Sequence, residues 1–172
     1  MRRGRPSASE RALTAAAFAL LAGCGGERLR DGVYRDDEAR YRVGALDSEW
    51  VPLDVAGQND LAWHSARLGA VVQVNATCDP GSDTPLTALT NHLLIGFTER
   101  VQTEQTLVPM DGREALRTRL VARLDGVPRA LSMVVLKKDD CVYDFALIAR
   151  PDGAVAEAAF DAFVAGFSTV AR

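Results

Sequence analysis

The amino-acid sequence predicts an α+β domain, with an antiparallel β-sheet of about six strands flanked by helices. Three observations predict this class. Short runs rich in β-branched residues recur between turn-forming clusters, which is typical of strands. Two segments, 85–96 and 154–168, carry apolar residues at helical spacing instead. The 149 residues from position 24 onward suffice for one domain and leave little room for two.

The first part of the domain is predicted to contain short strands. Alternating apolar residues over 41–46 predict the first strand, and a turn is expected at 50–52. Segments 61–67 and 70–77 predict two further strands, the second enriched in valine. The cluster of Asp, Pro, Gly and Ser at 78–83 then predicts a turn.

A helix is expected after that turn. Thr84 can cap it, and Pro85 stands at the first helical position, where proline is favoured. Gly96 is expected to end the helix. Its apolar stripe comprises Leu86, Leu89, Leu93, Ile95 and Phe97.

Segment 113–124 could form either a strand or a helix. Its Ala, Leu and Arg residues favour a helix. Its polar and apolar residues nevertheless alternate, and Asp125-Gly126 separates it from a second β-rich run at 129–138. This arrangement indicates a β-hairpin, so we predict a strand.

The remaining elements complete an antiparallel meander and a closing helix. Segments 101–109 and 141–149 predict its outer strands, with turns at 111–112 and 139–140. The helix over 154–168 has a core-facing stripe of Phe160, Phe163, Val164 and Phe167.

Three stretches of this half carry a resemblance to a known fold. They are Asp-Gly-Arg-Glu-Ala (111–115), Cys-Val-Tyr-Asp-Phe (141–145) and the Phe-rich segment 160–167. Together they resemble the PsbP-like, or Mog-type, fold. The resemblance implies an antiparallel sheet between helices over residues 41–170. It does not transfer a function, because members of one fold serve different roles.

The amino terminus has the organisation of an export signal. Residues 1–11 are basic, and residues 12–22 form an apolar run that is too short to span a membrane. The sequence Leu21-Ala22-Gly23-Cys24 follows and resembles the lipobox of bacterial lipoproteins. A plain secretory signal, a buried helix and twin-arginine export are the alternatives.

The lipobox resemblance implies that residues 1–23 are a signal peptide and that the Cys24 thiol receives a diacylglycerol. It also implies a membrane anchor, since two or three acyl chains bind a bilayer stably. Gly25 stands where Asp would favour the inner membrane, which implies the outer membrane, facing the periplasm. We expect a flexible tether over 24–40 and a single domain over 41–172. The acidic run 36–38 is interpreted as solvated linker rather than a cation site.

Charge disfavours one class of partner. The chain has a formal net charge of −3, and the part from position 24 onward has about −6, because four arginines and one glutamate precede it. A net negative domain is a poor match for nucleic acid, so no nucleic-acid partner is expected.

Cys78 and Cys141 are the remaining cysteines, and export permits a disulfide between them. The bond would close about 63 residues and stabilise the fold by about 4 kcal/mol. Two buried free thiols are the alternative. A redox-active pair would more usually have the spacing C-x-x-C.

The sequence contains no pattern that predicts catalysis, metal binding or a cofactor. His64 and His92 have no His or Cys at metal-ligand spacing. A histidine acting with Cys78 or Cys141 as nucleophile is conceivable, but a disulfide would consume both thiols. We therefore expect a protein that is not an enzyme.

Four arginines are predicted on one side of segment 113–124, with other basic residues at 129, 137 and 138. They are Arg113, Arg117, Arg119 and Arg123. This row could bind a partner or a polyanion. Alternatively, it is a solvated face, or it packs on a helix with the arginine stems covering apolar surface.

The sequence thus predicts a membrane-anchored, non-enzymatic lipoprotein of the periplasm. Its expected role is that of a protein-binding accessory or assembly subunit of an envelope complex. The alternative is a small-ligand or polyanion-binding module that uses the arginine row or an edge groove, and a cryptic hydrolase comes third.

Overall fold

The computed structural model describes residues 29–55, 59–81 and 83–171, which form two antiparallel sheets and two α-helices. In chain order the elements are β1 (Leu29–Arg30), β2 (Val33–Arg35), β3 (Arg40–Arg42), β4 (Val51–Leu53), β5 (Leu61–Ser65), β6 (Ala70–Cys78), α1 (Leu86–Leu93), β7 (Phe97–Met110), β8 (Arg113–Leu124), β9 (Val127–Lys138), β10 (Cys141–Ala149), α2 (Ala154–Ala165) and β11 (Ser168–Thr169).

The larger sheet has seven strands in the order β4-β5-β6-β10-β9-β8-β7. Strands β7 to β10 form consecutive hairpins, and β10 then pairs with β6 to join the two halves of the chain. This arrangement confirms the predicted α+β class and the strand over 113–124. The predicted turn at 50–52 is wrong, because Val51–Leu53 pairs with β5.

The smaller sheet has the order β1-β2-β3-β11 and changes the predicted extent of the domain. Residues 29–40 were expected to belong to a flexible tether, but they contribute strands, and Tyr34 is fully buried. Asp60 accepts hydrogen bonds from the hydroxyls of Tyr34 (3.1 Å) and Tyr41 (2.8 Å) and from the Ala76 amide (2.9 Å). These bonds fasten the smaller sheet to the larger one.

The main core lies between the larger sheet, α2 and the smaller sheet. Phe160 and Phe163 of α2 are fully buried against Phe145 of β10, as the predicted stripe requires. The helix ends at Ala165 rather than 168, and Phe167 is buried beyond it.

The opposite face of the sheet is only partly covered, because α1 has eight residues and packs on β8 and β9. Leu94 joins a small apolar cluster there with Leu120, Leu131 and Ala146. The helix has no side-chain cap among the described residues, and Ile95 is 76% exposed rather than part of the stripe. Much of β6 and β10 therefore lies beside α1 instead of beneath it.

The predicted disulfide is confirmed. Cys78 and Cys141 are direct cross-strand partners at one end of the β6–β10 pair, and their sulfur atoms are bonded. The bond links positions 63 residues apart in sequence, at the seam between the two halves of the sheet.

Two glycines allow the chain after β3 to touch the end of α2. The Gly44 amide donates to the Phe163 carbonyl at 2.9 Å. A Cβ built on Gly166 would lie 2.5 Å from the Gly44 nitrogen, although the φ of −82° at Gly166 suits any residue. The backbone contact, and not the conformation, therefore requires glycine at position 166.

Gly166→Ala should lower the free energy of unfolding by about 1–3 kcal/mol, since the new methyl group forces the two backbones apart. Urea unfolding followed by circular dichroism would measure the change. Ala158→Ser adds one atom to the exposed side of the same helix and should change stability by less than about 0.5 kcal/mol. Equal stability of Gly166→Ala and the unmodified chain would contradict this account of the contact.

Candidate functional site

The candidate site is a cleft of about 590 Å³ beside α1, which we call the α1 cleft. Leu89, His92 and Leu93 of α1 form one wall. Its floor is the carboxyl-terminal end of β6 and the first half of β10, where Val142 and Asp144 line it. The cleft exists because the short helix covers β8 and β9 and leaves this part of the sheet open.

Asp144 is the unusual residue of the α1 cleft. Its atom Oδ1 is excluded from solvent and has no hydrogen-bond partner among the described residues. Burial in this environment raises the pKa of Asp144 to about 6, because the charged form loses its hydration. At neutral pH the carboxylate is mostly ionised, and its solvent-excluded oxygen Oδ1 then has no donor among the described residues, which is costly for a folded protein.

The lysines that line the cleft are engaged elsewhere. The Lys137 amine donates to the Thr84 carbonyl at 3.2 Å, which ties the start of α1 to the end of β9. The Lys138 amine donates to the backbone and side chain of Asp111, both at 2.8 Å. Neither of these contacts involves Asp144.

The arginine row predicted from the sequence is not one free surface. The Arg117 guanidinium contacts Asp161 of α2 at 2.5 Å. Arg119 contacts Glu157 and Glu104 at 2.6 Å each, and Asp161 at 3.1 Å. The two central arginines are thus paired with carboxylates of α2 and β7, which leaves them less available to a polyanion.

The outer members of the row lie at opposite ends of β8. Arg123 pairs with Glu99 at 2.9 Å in an exposed position. Arg113 is exposed and lines the α1 cleft at its far side. The four arginines therefore do not form one surface: two are paired with α2, one is paired with Glu99 and one lines the cleft.

The two histidines stand on separate elements. His64 lies on β5 and His92 on α1. In residues 29–55, 59–81 and 83–171, no group of three or more His, Cys, Asp or Glu side chains is arranged to hold a metal ion.

Sequence reasoning missed Asp144, although a signal was present. Asp144 is the one charged residue in the nine-residue strand Cys141–Ala149. A carboxylate in the middle of an apolar strand must be exposed, paired or unusual in its pKa. The sequence alone does not distinguish these cases, because they depend on where α1 packs.

Comparisons with known proteins identify the fold. No protein-family model matches the chain, and no curated protein matches it. The chain is similar to the solution structure of cyanobacterial PsbP (CyanoP) from Synechocystis sp. PCC 6803, with 18% identity and a TM-score of 0.60. The match covers 87% of this chain and 99% of that one.

A second similar structure is that of LpqN from Mycobacterium tuberculosis, described as involved in cell envelope biogenesis. It has 10% identity and a TM-score of 0.57, over 80% of this chain and 88% of that one. The chain therefore has a PsbP-like fold. At these identities the likeness concerns the fold alone.

The predicted signal peptide and Cys24 lie outside the described residues. Within the described part of the chain, neither helix has the length and apolar character needed to cross a membrane.

Asp144→Asn should stabilise the protein at neutral pH. The folded state holds the Asp144 proton up to about pH 6, whereas the unfolded chain releases it near pH 4, so this residue weakens the fold as pH rises between these values. We expect the variant to match the unmodified chain near pH 4 and to exceed it by about 1–3 kcal/mol at pH 7.5. Urea unfolding at both pH values measures the difference.

Asp125→Asn is the matched control, because Asp125 is exposed in the β8–β9 turn and asparagine tolerates its φ of 50°. It should change the free energy of unfolding by less than about 0.5 kcal/mol at either pH. A pH-independent effect of Asp144→Asn would refute an uncompensated charge at this site.

Proposed function

We propose that the protein is a lipid-anchored component of the bacterial envelope that acts by binding another protein rather than by catalysis. The lipobox-like sequence ending at Cys24 supports the anchor. The role described for LpqN, in cell envelope biogenesis, supports the location. The observation that carries the binding role is a group of exposed apolar side chains at one corner of the larger sheet.

This group, which we call the apolar corner, comprises Ile95, Val101, Val121 and Val127. Their exposed fractions are 76%, 59%, 40% and 46%, and they are four of the eight large apolar residues exposed in the described part of the chain. Val101 and Val121 are cross-strand partners and share one face of the sheet, whereas Val127 is opposite Leu124 and lies on the other face, directly after the β8–β9 turn. Single exposed apolar residues need no explanation, but an adjacent pair with two further exposed apolar residues on the other face of the same sheet edge favours a contact surface that wraps this edge.

The edge strand β7 shapes how a partner can bind. Its 14 residues are mostly exposed, and in the described residues only β8 pairs with it. The register shifts between Thr98 and Val101 and between Gln102 and Glu104. Such irregularities hinder the addition of another strand to an edge. Binding through apolar side chains is therefore favoured over extension of the sheet.

The anchor would keep the domain near the bilayer. Only four residues separate Cys24 from Leu29, where β1 begins. A fully extended chain of five steps reaches at most about 18 Å. A partner would consequently lie at the membrane or close to it.

Val101→Glu should reduce recovery of the partner about tenfold or more, since it places a charge in the centre of the contact. A photo-reactive amino acid at position 121, the cross-strand partner of Val101, in the full-length chain expressed in its own host would capture the partner before purification. Mass spectrometry should identify one protein in near-stoichiometric amount.

Val51→Glu is the control, because Val51 is 51% exposed on β4 at the opposite edge of the sheet. It should leave recovery unchanged. Equal losses for both variants, or adducts only between copies of this chain, would rule out a partner at the apolar corner.

Cys24→Ser should release the protein from the membrane, since the thioether to the lipid requires the thiol. Detergent-phase partitioning and intact mass would report the loss of the acyl chains and retention of residues 1–23. Gly26→Ala should leave partitioning unchanged. An aqueous-phase distribution of the unmodified chain would contradict the anchor without bearing on the apolar corner.

A further inference from the structure

The α1 cleft is lined by a half-buried carboxylate, Asp144, although a carboxylate taken out of water usually has a positively charged partner. Asp144 is paired in register with Asn75 of β6 and Val135 of β9, neither of which is charged. The side-chain amide of Asn75 donates to the hydroxyl of Thr77 instead. Among the described residues, Oδ1 of Asp144 has no donor at all.

The basic residues that line the cleft either donate to acceptors other than Asp144 or lie too far from Asp144 to bond it. Lys137 and Lys138 donate to Thr84 and Asp111, as described above. Arg113 is on β8, two strands from β10, which is a lateral separation of about 10 Å. In the described residues no basic side chain therefore bonds Asp144, and the partly exposed side chain of Asp144 lines the cleft.

We propose that the α1 cleft binds a small organic ammonium compound, with the ammonium group at Asp144 and an apolar body along α1. Leu89, Leu93 and Val142 line the space beside the carboxylate and suit a hydrocarbon chain or ring. A volume of about 590 Å³ is within the range of small-molecule sites. The uncompensated carboxylate weakens the fold at neutral pH, which is typical of a residue retained for binding.

An organic ammonium ion fits these residues better than a metal ion does. Metal ions take several protein ligands, and the described residues offer no group of three that could hold one. An ammonium group needs one carboxylate and donates its hydrogen bonds in several directions. Asp79, Asp139 and Asp140 at the mouth of the cleft add negative charge that attracts a cation.

Ionisable groups around the cleft set how binding depends on pH. Besides the three mouth aspartates and Asp144, they are His92 on α1 and Arg113, Lys137 and Lys138 on β8 and β9. Because the pKa of Asp144 is about 6, about nine-tenths of its carboxyl groups are protonated at pH 5. Affinity for an ammonium ion should consequently be about tenfold lower at pH 5.0 than at pH 7.5.

The test is a titration of the purified, ¹⁵N-labelled full chain with n-hexylammonium, followed by NMR. We expect saturable shifts of amides in α1 and in the first half of β10 at pH 7.5. Neutral 1-hexanol and anionic hexanoate, which share the hydrocarbon chain, should bind at least about tenfold more weakly if the charge decides recognition. A titration with n-hexylammonium at pH 5.0 should show the tenfold lower affinity expected above.

Asp144→Asn should abolish binding of n-hexylammonium while leaving the protein folded, because the substitution is expected to stabilise it. Asp140→Asn at the mouth should retain binding within about threefold, since an exposed charge contributes little. Absence of saturable shifts in the unmodified chain would overturn the proposal. Equal affinity for hexanol and hexylammonium, or undiminished binding by Asp144→Asn, would overturn it as well.

Discussion

The pairing of β6 with β10 is the constraint on which the rest of the structure depends. It is the only pairing in the larger sheet between the segment before α1 and the meander after it, in the residues that the structure describes. Eight register pairs run from Cys141 opposite Cys78 to Ile148 opposite Val71. One side of this seam carries the aromatic core against α2, and the other side is the floor of the α1 cleft. The core and the candidate site are therefore two faces of the same pair of strands.

Local patterns sufficed to predict most of the meander. Alternation of side chains together with the Asp-Gly turns at 111–112 and 125–126 specifies hairpins between neighbours in sequence, and β8 and β10 begin and end where predicted. The order of strands across the seam did not follow from such patterns, because it joins segments about 63 residues apart. The strands within 29–40 were not predicted, because Val33 and Tyr34 stand among charged residues and Tyr34 bonds Asp60, which is distant in sequence.

The functional surfaces were harder to predict, since charge partners come from other elements. Alternation placed Arg117 and Arg119 on one face of β8 correctly. Only the fold brings Glu157 and Asp161 of α2 onto that face and neutralises them. Asp144 is the opposite case. The sequence shows its charge, but only the fold shows that its oxygen Oδ1 has no hydrogen-bond partner among the described residues. In both cases the sequence shows the charged residue but does not show whether the fold gives it an oppositely charged partner.

The position of the disulfide has a consequence for the order of folding. The hairpins of β7 to β10 form between sequence neighbours, whereas the seam requires closure of a loop of about 63 residues, which is slower. Oxidation of Cys78 and Cys141 removes that closure from the unfolded chain and contributes about 4 kcal/mol. We therefore expect a reduced chain to have a formed meander and a weak seam, and so to open first along the floor of the α1 cleft. The disulfide therefore stabilises the floor of the α1 cleft in compartments where disulfides persist.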